Sequence, residues 1–148
     1  MKSKCFLDSN FLIYFLDRKS IFHQKAKEIV AGLNADNYTL VISPLVIDEF
    51  VYSLKKLLIF EGITGGKIFS ELLRAYDAIF KLPNLEIVPI NNERSENRKV
   101  IGYMEEYNLK PRDAYHLLVM KKNRIREFAT FDKDFRRVFA KNILKKAE

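Results

Sequence analysis

The sequence predicts an α/β fold in three layers, a central parallel sheet of four to five strands with helices on both faces. Three observations carry this. Short apolar runs of β-type residues alternate along the chain with longer stretches of helical periodicity, the pattern of βαβ units. A helix start follows directly on a strand at Ser43-Pro44, where the hydroxyl suits an N-cap and the proline the first helical position. Finally, 148 residues with 48% hydrophobic content, 12 Phe and 7 Tyr form a chain large and apolar enough to bury a core as a single domain over residues 1–148.

In chain order, residues 4–7 read as the first strand, followed by helical patterns over 11–16 and 22–33. Residues 38–42 form the second strand, and helices follow over 44–58 and 66–82, joined by Gly62-Ile63-Thr64-Gly65-Gly66. That glycine-rich segment is a turn between helices; it lacks the following Lys-Ser/Thr of a phosphate loop and does not follow a strand. A third strand spans 85–90, helices span 93–107 and 111–122, the second of these opened by Pro111, and a fourth strand spans 127–130. Residues 138–144 are only weakly β-like and lie among lysines, which leaves a fifth strand in doubt.

Composition excludes several classes. The apolar content excludes disorder. The single cysteine excludes an internal disulfide and, with no second Cys at ligand spacing, reads as a small buried hydrophobe in a reducing compartment, the cytoplasm. The start of the chain has the basic and apolar character of a signal peptide, but Asp8 and Asp17 interrupt it without a cleavage site, and no run reaches the ~20 apolar residues that span a bilayer. Of the net charge of +7, a surplus of six comes from residues 121–148, with ten Lys/Arg against four Asp/Glu. Such a segment attracts a phosphate backbone, and Lys121, Lys122 and Arg124 are its candidate contacts; a solvated basic tail is the competing explanation.

Acidic residues stand where the pattern expects burial. Asp8 follows the first strand, Glu49 lies on the second turn of the helix after Ser43, Asp113 lies in the first turn after Pro111, and Asp132 follows the fourth strand. Ligands of open α/β sheets bind beyond the carboxyl ends of the strands, so all four converge on one rim. Oxygen ligands without paired His or Cys suit Mg²⁺ or Mn²⁺. Each acid has a local explanation too: Asp8 as a helix cap, Asp113 as a partner of the helix dipole, Glu49 as one of two acids with Asp48, Asp132 and Asp134 as turn formers. Their common edge favours one site over four coincidences. His116, three residues after Asp113, is positioned for proton transfer but reads more simply as packed beside Leu117 and Leu118; His23, among charged neighbours, reads as a surface residue.

The segments Leu7-Asp8-Ser9-Asn10, Ser43 to Phe50, Arg112-Asp113-Ala114-Tyr115-His116-Leu117 and Ala129-Thr130-Phe131-Asp132-Lys133-Asp134-Phe135, with spacings of 41, 64 and 19 residues between successive acids, resemble the PIN domain family of VapC-type toxins and related ribonucleases. The resemblance covers nearly the whole chain, and its specificity lies in the ordered set. It implies that Asp8, Glu49, Asp113 and Asp132 bind metal and carry catalysis, that Asp134 assists at the metal, and that Asn10 and Thr130 support the site. It implies a metal-dependent endoribonuclease that leaves a 5′-phosphate and a 3′-hydroxyl, a homodimer, and a small antitoxin partner of a type II toxin–antitoxin pair. Two other readings compete. A haloacid-dehalogenase-type phosphatase needs a second Asp where Asn10 stands, and a non-catalytic RNA-binding or scaffold module is separated from an enzyme only by metal-dependent cleavage.

Overall fold

The computed structural model describes residues 2–90 and 93–148. Its elements are β1 (Lys4–Leu7), α1 (Ser9–Leu16), α2 (His23–Ala35), β2 (Thr39–Ile42), α3 (Pro44–Phe60), α4 (Gly66–Ile79), β3 (Leu85–Ile87), α5 (Arg94–Tyr107), α6 (Pro111–Lys122), β4 (Glu127–Ala129), a 3₁₀ turn (Lys133–Phe135), α7 (Arg136–Ala140) and β5 (Lys145–Lys146). The strands form one sheet in the order β3-β2-β1-β4-β5. Every pairing is parallel, with Phe6 opposite both Val41 and Phe128 at the centre.

The central strands are apolar because both their faces are covered: Cys5, Phe6, Leu7, Leu40, Val41 and Ile42 are all 0% exposed. Burial also pushes the Cys5 thiol up to about 12, as suits an inert core residue. Parallel crossovers are right-handed. The chain advances from β1 through β2 to β3, then returns past β1 to β4 and β5, so the crossover helices divide between the two faces. α1 packs with α2, α3 and α4, and α5 packs with α6. One continuous core runs through both layers from Cys5 to Ala147.

The reversal of strand order falls at β1. A crevice therefore opens beyond the carboxyl ends of β1 and β4, the switch point at which open α/β sheets bind their ligands. Local signals fix the elements beside it. Asp8 caps α1 by accepting the Ser9 N–H, and Ser43 caps α3 by accepting the Val46 N–H. Gly62, with φ of 87°, turns the chain from α3 to α4 in a region open to a residue without Cβ.

The structure departs from the sequence expectations in three places. β3 stops at Ile87, not at residue 90: Val88 makes a last bond to the Ile42 carbonyl, and Pro89 then has no N–H to offer. The fifth strand exists, but beyond residues 138–144, at Lys145–Lys146, and α7 takes up the start of the doubtful stretch. His23 is half-buried, its Nδ1 3.0 Å from the Tyr14 carbonyl, and is not a free surface residue. No helix among the described residues is long and apolar enough to cross a membrane.

Candidate metal centre

Asp8 leaves β1 and enters the crevice with its backbone still tied to the sheet, its N–H donating to the Ala129 carbonyl at 3.0 Å. Both carboxyl oxygens are engaged: Oδ1 accepts the Ser9 N–H at 2.8 Å, and Oδ2 accepts the Thr130 hydroxyl at 2.6 Å. The Thr130 oxygen in turn accepts the Asp132 N–H at 3.0 Å, so one hydroxyl links the acid after β1 to the loop after β4. Asn10 braces the same loop, its Oδ1 accepting the Phe131 N–H at 3.3 Å. Asp132 caps the 3₁₀ turn by accepting the Asp134 N–H at 2.9 Å. Asn10 and Thr130, the residues expected to support the site, thus both bond to the loop after β4 or to Asp8.

Glu49 approaches from α3 and His116 from α6. The His116 Nε2 meets Glu49 Oε1 in a close contact between a fully buried ring and a carboxylate side chain only 17% exposed. Asp48, one residue earlier, turns outward: its side chain is 63% exposed and lies 3.8 Å from Arg112 Nη2. Neighbours on a helix point about 100° apart, and only Glu49 faces the crevice.

The ligand atoms of Asp8, Glu49 and His116 lie within 4.8 Å of one another, and those of Asp113, Asp132 and Asp134 do likewise. The two groups are electrostatically one. Burial first, then the charges of Asp132 and Asp8, push the Asp113 carboxyl from its usual 3.8 up to about 7. Burial also raises Asp8, against the opposing pull of His116 and the bonds from Thr130 and Ser9. Burial works against a charged His116, but its bond to Glu49 and the charges of Asp8 and Asp113 outweigh that and raise its pKa. These acids sit where their charge is expensive unless a proton, the imidazolium or a cation balances it. A set of hard oxygens with a single imidazole fits a divalent ion such as Mg²⁺ or Mn²⁺.

Five acids predicted from sequence therefore come together, with Asp134 at the outer margin, 43% exposed and 3.5 Å from Lys110 Nζ. Lys121, Lys122 and Arg124 do not join them. They lie at the opposite end of α6 from Asp113, about 12 Å along the axis for eight residues, near the amino edge of the sheet. Lys121 sits over the Tyr103 ring and Lys122 lies 3.5 Å from Glu93 Oε1. Cations nearer the acids include Lys110, which meets Asp134, and Arg112 beside Asp113, the two flanking Pro111. Sequence reasoning undervalued them because a surplus count finds charge-rich segments and misses single cations beside an acid. It also undervalued His116, although its spacing from Asp113 places both on one face of α6.

Comparison with known proteins identifies the fold. The PIN domain family model matches residues 5–141. Ribonuclease VapC6 of Methanocaldococcus jannaschii is 28% identical over 155 residues, covering 97% of each chain. Among solved structures, VapC20 of Mycobacterium tuberculosis, described as a Sarcin-Ricin loop cleaving toxin, superposes with a TM-score of 0.66 at 18% identity over 89% of this chain and 92% of that one. VapBC2 of Rickettsia felis, solved with a promoter DNA fragment, gives 0.65 at 18% identity over 98% and 99%. With a family match across most of its length and the family's fold in its structure, this chain belongs to the PIN domain family.

Proposed function

We propose that the protein is a divalent-metal-dependent endoribonuclease acting in the cytoplasm as the toxin of a toxin–antitoxin pair. The observation that carries this reading is the convergence of Asp8, Glu49, Asp113 and Asp132 on the crevice between β1 and β4, with burial that leaves their charge in need of a cation. The ribonuclease name of the Methanocaldococcus relative supports RNA as the substrate. A solved toxin–antitoxin complex from Klebsiella pneumoniae, similar in fold with a TM-score of 0.57 at 23% identity, supports a small protein partner.

In the mechanism, Asp8, Glu49, Asp113 and Asp132 would hold the ion and Asp134 would extend the site outward. A bound Mg²⁺ or Mn²⁺ supplies activation of a water and neutralisation of charge on a phosphodiester. The chain does the rest. Thr130 and the Ser9 N–H fix the Asp8 carboxylate, His116 holds Glu49 inward, and Asn10 and Asp132 shape the loop after β4. Lys110 and Arg112 attract the RNA backbone to a rim that the carboxylates alone would repel. Lys121, Lys122 and Arg124 serve an RNA long enough to pass from the rim to the far edge of the sheet.

A homodimer would form on the outer face of α4. Phe69, Leu73 and Tyr76 along α4 and Phe80 at its C-cap recur at helical spacing and are 62%, 64%, 37% and 37% exposed, and such patches mark interfaces. The function is tested by incubating the protein with single-stranded RNA in Mn²⁺ and in EDTA. Cleavage confined to Mn²⁺, with 5′-phosphate and 3′-hydroxyl ends, is the expected result, and binding without cleavage would leave an RNA-binding module.

A further inference from the structure

The segment between α1 and α2 carries a surface that the metal centre does not use. Phe131 lies between Thr130 and Asp132 in the loop after β4, so its ring is anchored at the acidic rim. It stacks on Phe11 at 5.7 Å with planes 10° apart and on Phe22 at 4.8 Å with planes 27° apart, while Tyr14 meets it edge-on. The stack runs from core to solvent: Phe11 is 0% exposed, Phe131 is intermediate, and Phe22 is 38% exposed. Beside its open end Ile21 is 89% exposed. An apolar end left in water beside a catalytic rim costs free energy without adding to the core.

Cations neighbour that end along the chain. Arg18 and Lys19 of the same segment are exposed, and so is Lys25 in the first turn of α2. The segment is held in place by its own polar side chains: Asp17 Oδ1 accepts the Lys19 N–H at 3.0 Å, Ser20 Oγ accepts the Phe22 N–H at 3.1 Å, and His23 Nδ1 lies 3.0 Å from the Tyr14 carbonyl. Aromatic faces interleaved with cations form the surface that binds a single strand, with bases stacking on rings and phosphates meeting Lys and Arg. A protein partner's apolar side chain would also cover Phe22, but the exposed Arg18, Lys19 and Lys25 favour a polyanion.

Resting on the ribonuclease reading, we infer that the segment from Asp17 to Phe22 is a base-binding subsite for single-stranded RNA. Phe22 extends the Phe11–Phe131 stack with one unpaired base beside the cleaved phosphate, and Arg18 and Lys19 hold the adjoining backbone. It is a determinant of which strands are engaged and leaves the metal ligands untouched.

The test uses short single-stranded RNAs with 2-aminopurine at one position at a time, added to the Asp8→Asn protein and to the same protein carrying Phe22→Leu or Phe22→Tyr. One position is expected to be quenched wherever an aromatic ring is kept, in the Asp8→Asn parent and after Phe22→Tyr, and not after Phe22→Leu. The leucine variant should bind about tenfold more weakly with an unchanged salt slope. Removing Arg18 and Lys19 together should instead flatten the slope by about 0.7 per lost contact. In proteins with Asp8 intact, Phe22→Leu should raise KM for short RNA without lowering kcat, and Phe22→Tyr, which keeps the ring on Phe131, should restore the native KM. Equal affinity and equal quenching across the three proteins would overturn the subsite. A native protein that neither binds nor cleaves RNA in Mn²⁺ would overturn the ribonuclease reading itself, whereas native cleavage with indifferent Phe22 variants removes this inference alone.

Discussion

Asp113 shows how one residue joins stability to function. Its place in the first turn of α6 favours negative charge, yet burial and the charges of Asp132 and Asp8 push its carboxyl up to about 7. A folded-state pKa raised above the usual 3.8 means that the folded protein holds the proton more tightly, so this stability is full below about 4 and is lost as pH rises through about 7. The raised values of Asp8 and His116 act in the same direction. The metal-free Asp113→Asn protein should therefore melt above the native protein by a margin that grows as pH rises from about 4 to about 7, and Mn²⁺ should shrink that margin; melting curves across this window check it. Neighbouring residues on α3 mark the limit of sequence reading. Periodicity does not separate Asp48 from Glu49, because each shares its face with a mixed stripe; the family resemblance picks out Glu49, and in the structure it is Glu49 that His116 meets from α6. Glu49→Gln should lose most Mn²⁺-dependent cleavage and Asp48→Asn should keep it. His116→Leu, which frees Glu49 from its holder, should cost about 10- to 100-fold in Mn²⁺ affinity, less than the loss at Glu49, as metal titrations of initial rate will show.

At the scale of elements, the legible ones announce themselves locally. Ser43-Pro44 and Pro111 place the starts of α3 and α6 because cap and proline act within one turn. Those two starts put Glu49 and Asp113 on the correct edge, so the sequence spacing carries most of the site. β5 was not legible because a two-residue edge strand of exposed lysines has no apolar face, and its register comes entirely from β4. The stripe along α4 was not singled out either, because an amphipathic pattern does not say whether its apolar face meets the core or another molecule. Here the exposed face meets solvent in the single chain. Leu73→Glu places a charge at its centre without touching the core, so it should convert a dimer into a monomer with little change in melting temperature; sedimentation at matched concentrations separates the two states.

At the scale of the whole molecule, the sheet order governs everything else. Because β1 lies between β2 and β4, the chain must reverse there, and the reversal opens the crevice into which β1, α3, α6 and the loop after β4 each deliver an acid. Charge distribution was less legible. The basic surplus was real in sequence, but folding sent Lys121, Lys122 and Arg124 to the far end of α6 and left Lys110 and Arg112 nearer the acids, a separation invisible to counting. A net charge of +7 favours polyanions for the molecule as a whole, while the crevice is acidic, so on the proposed mechanism a phosphodiester enters it only with a cation. The most direct test of that arrangement is cleavage of single-stranded RNA by the native and Asp113→Asn proteins, assayed together in Mn²⁺ with their folding verified by thermal melts. Loss of cleavage in an Asp113→Asn protein that melts at or above the native temperature is the predicted result; full cleavage by that variant, or native cleavage that persists in EDTA, would contradict a metal centre in the crevice.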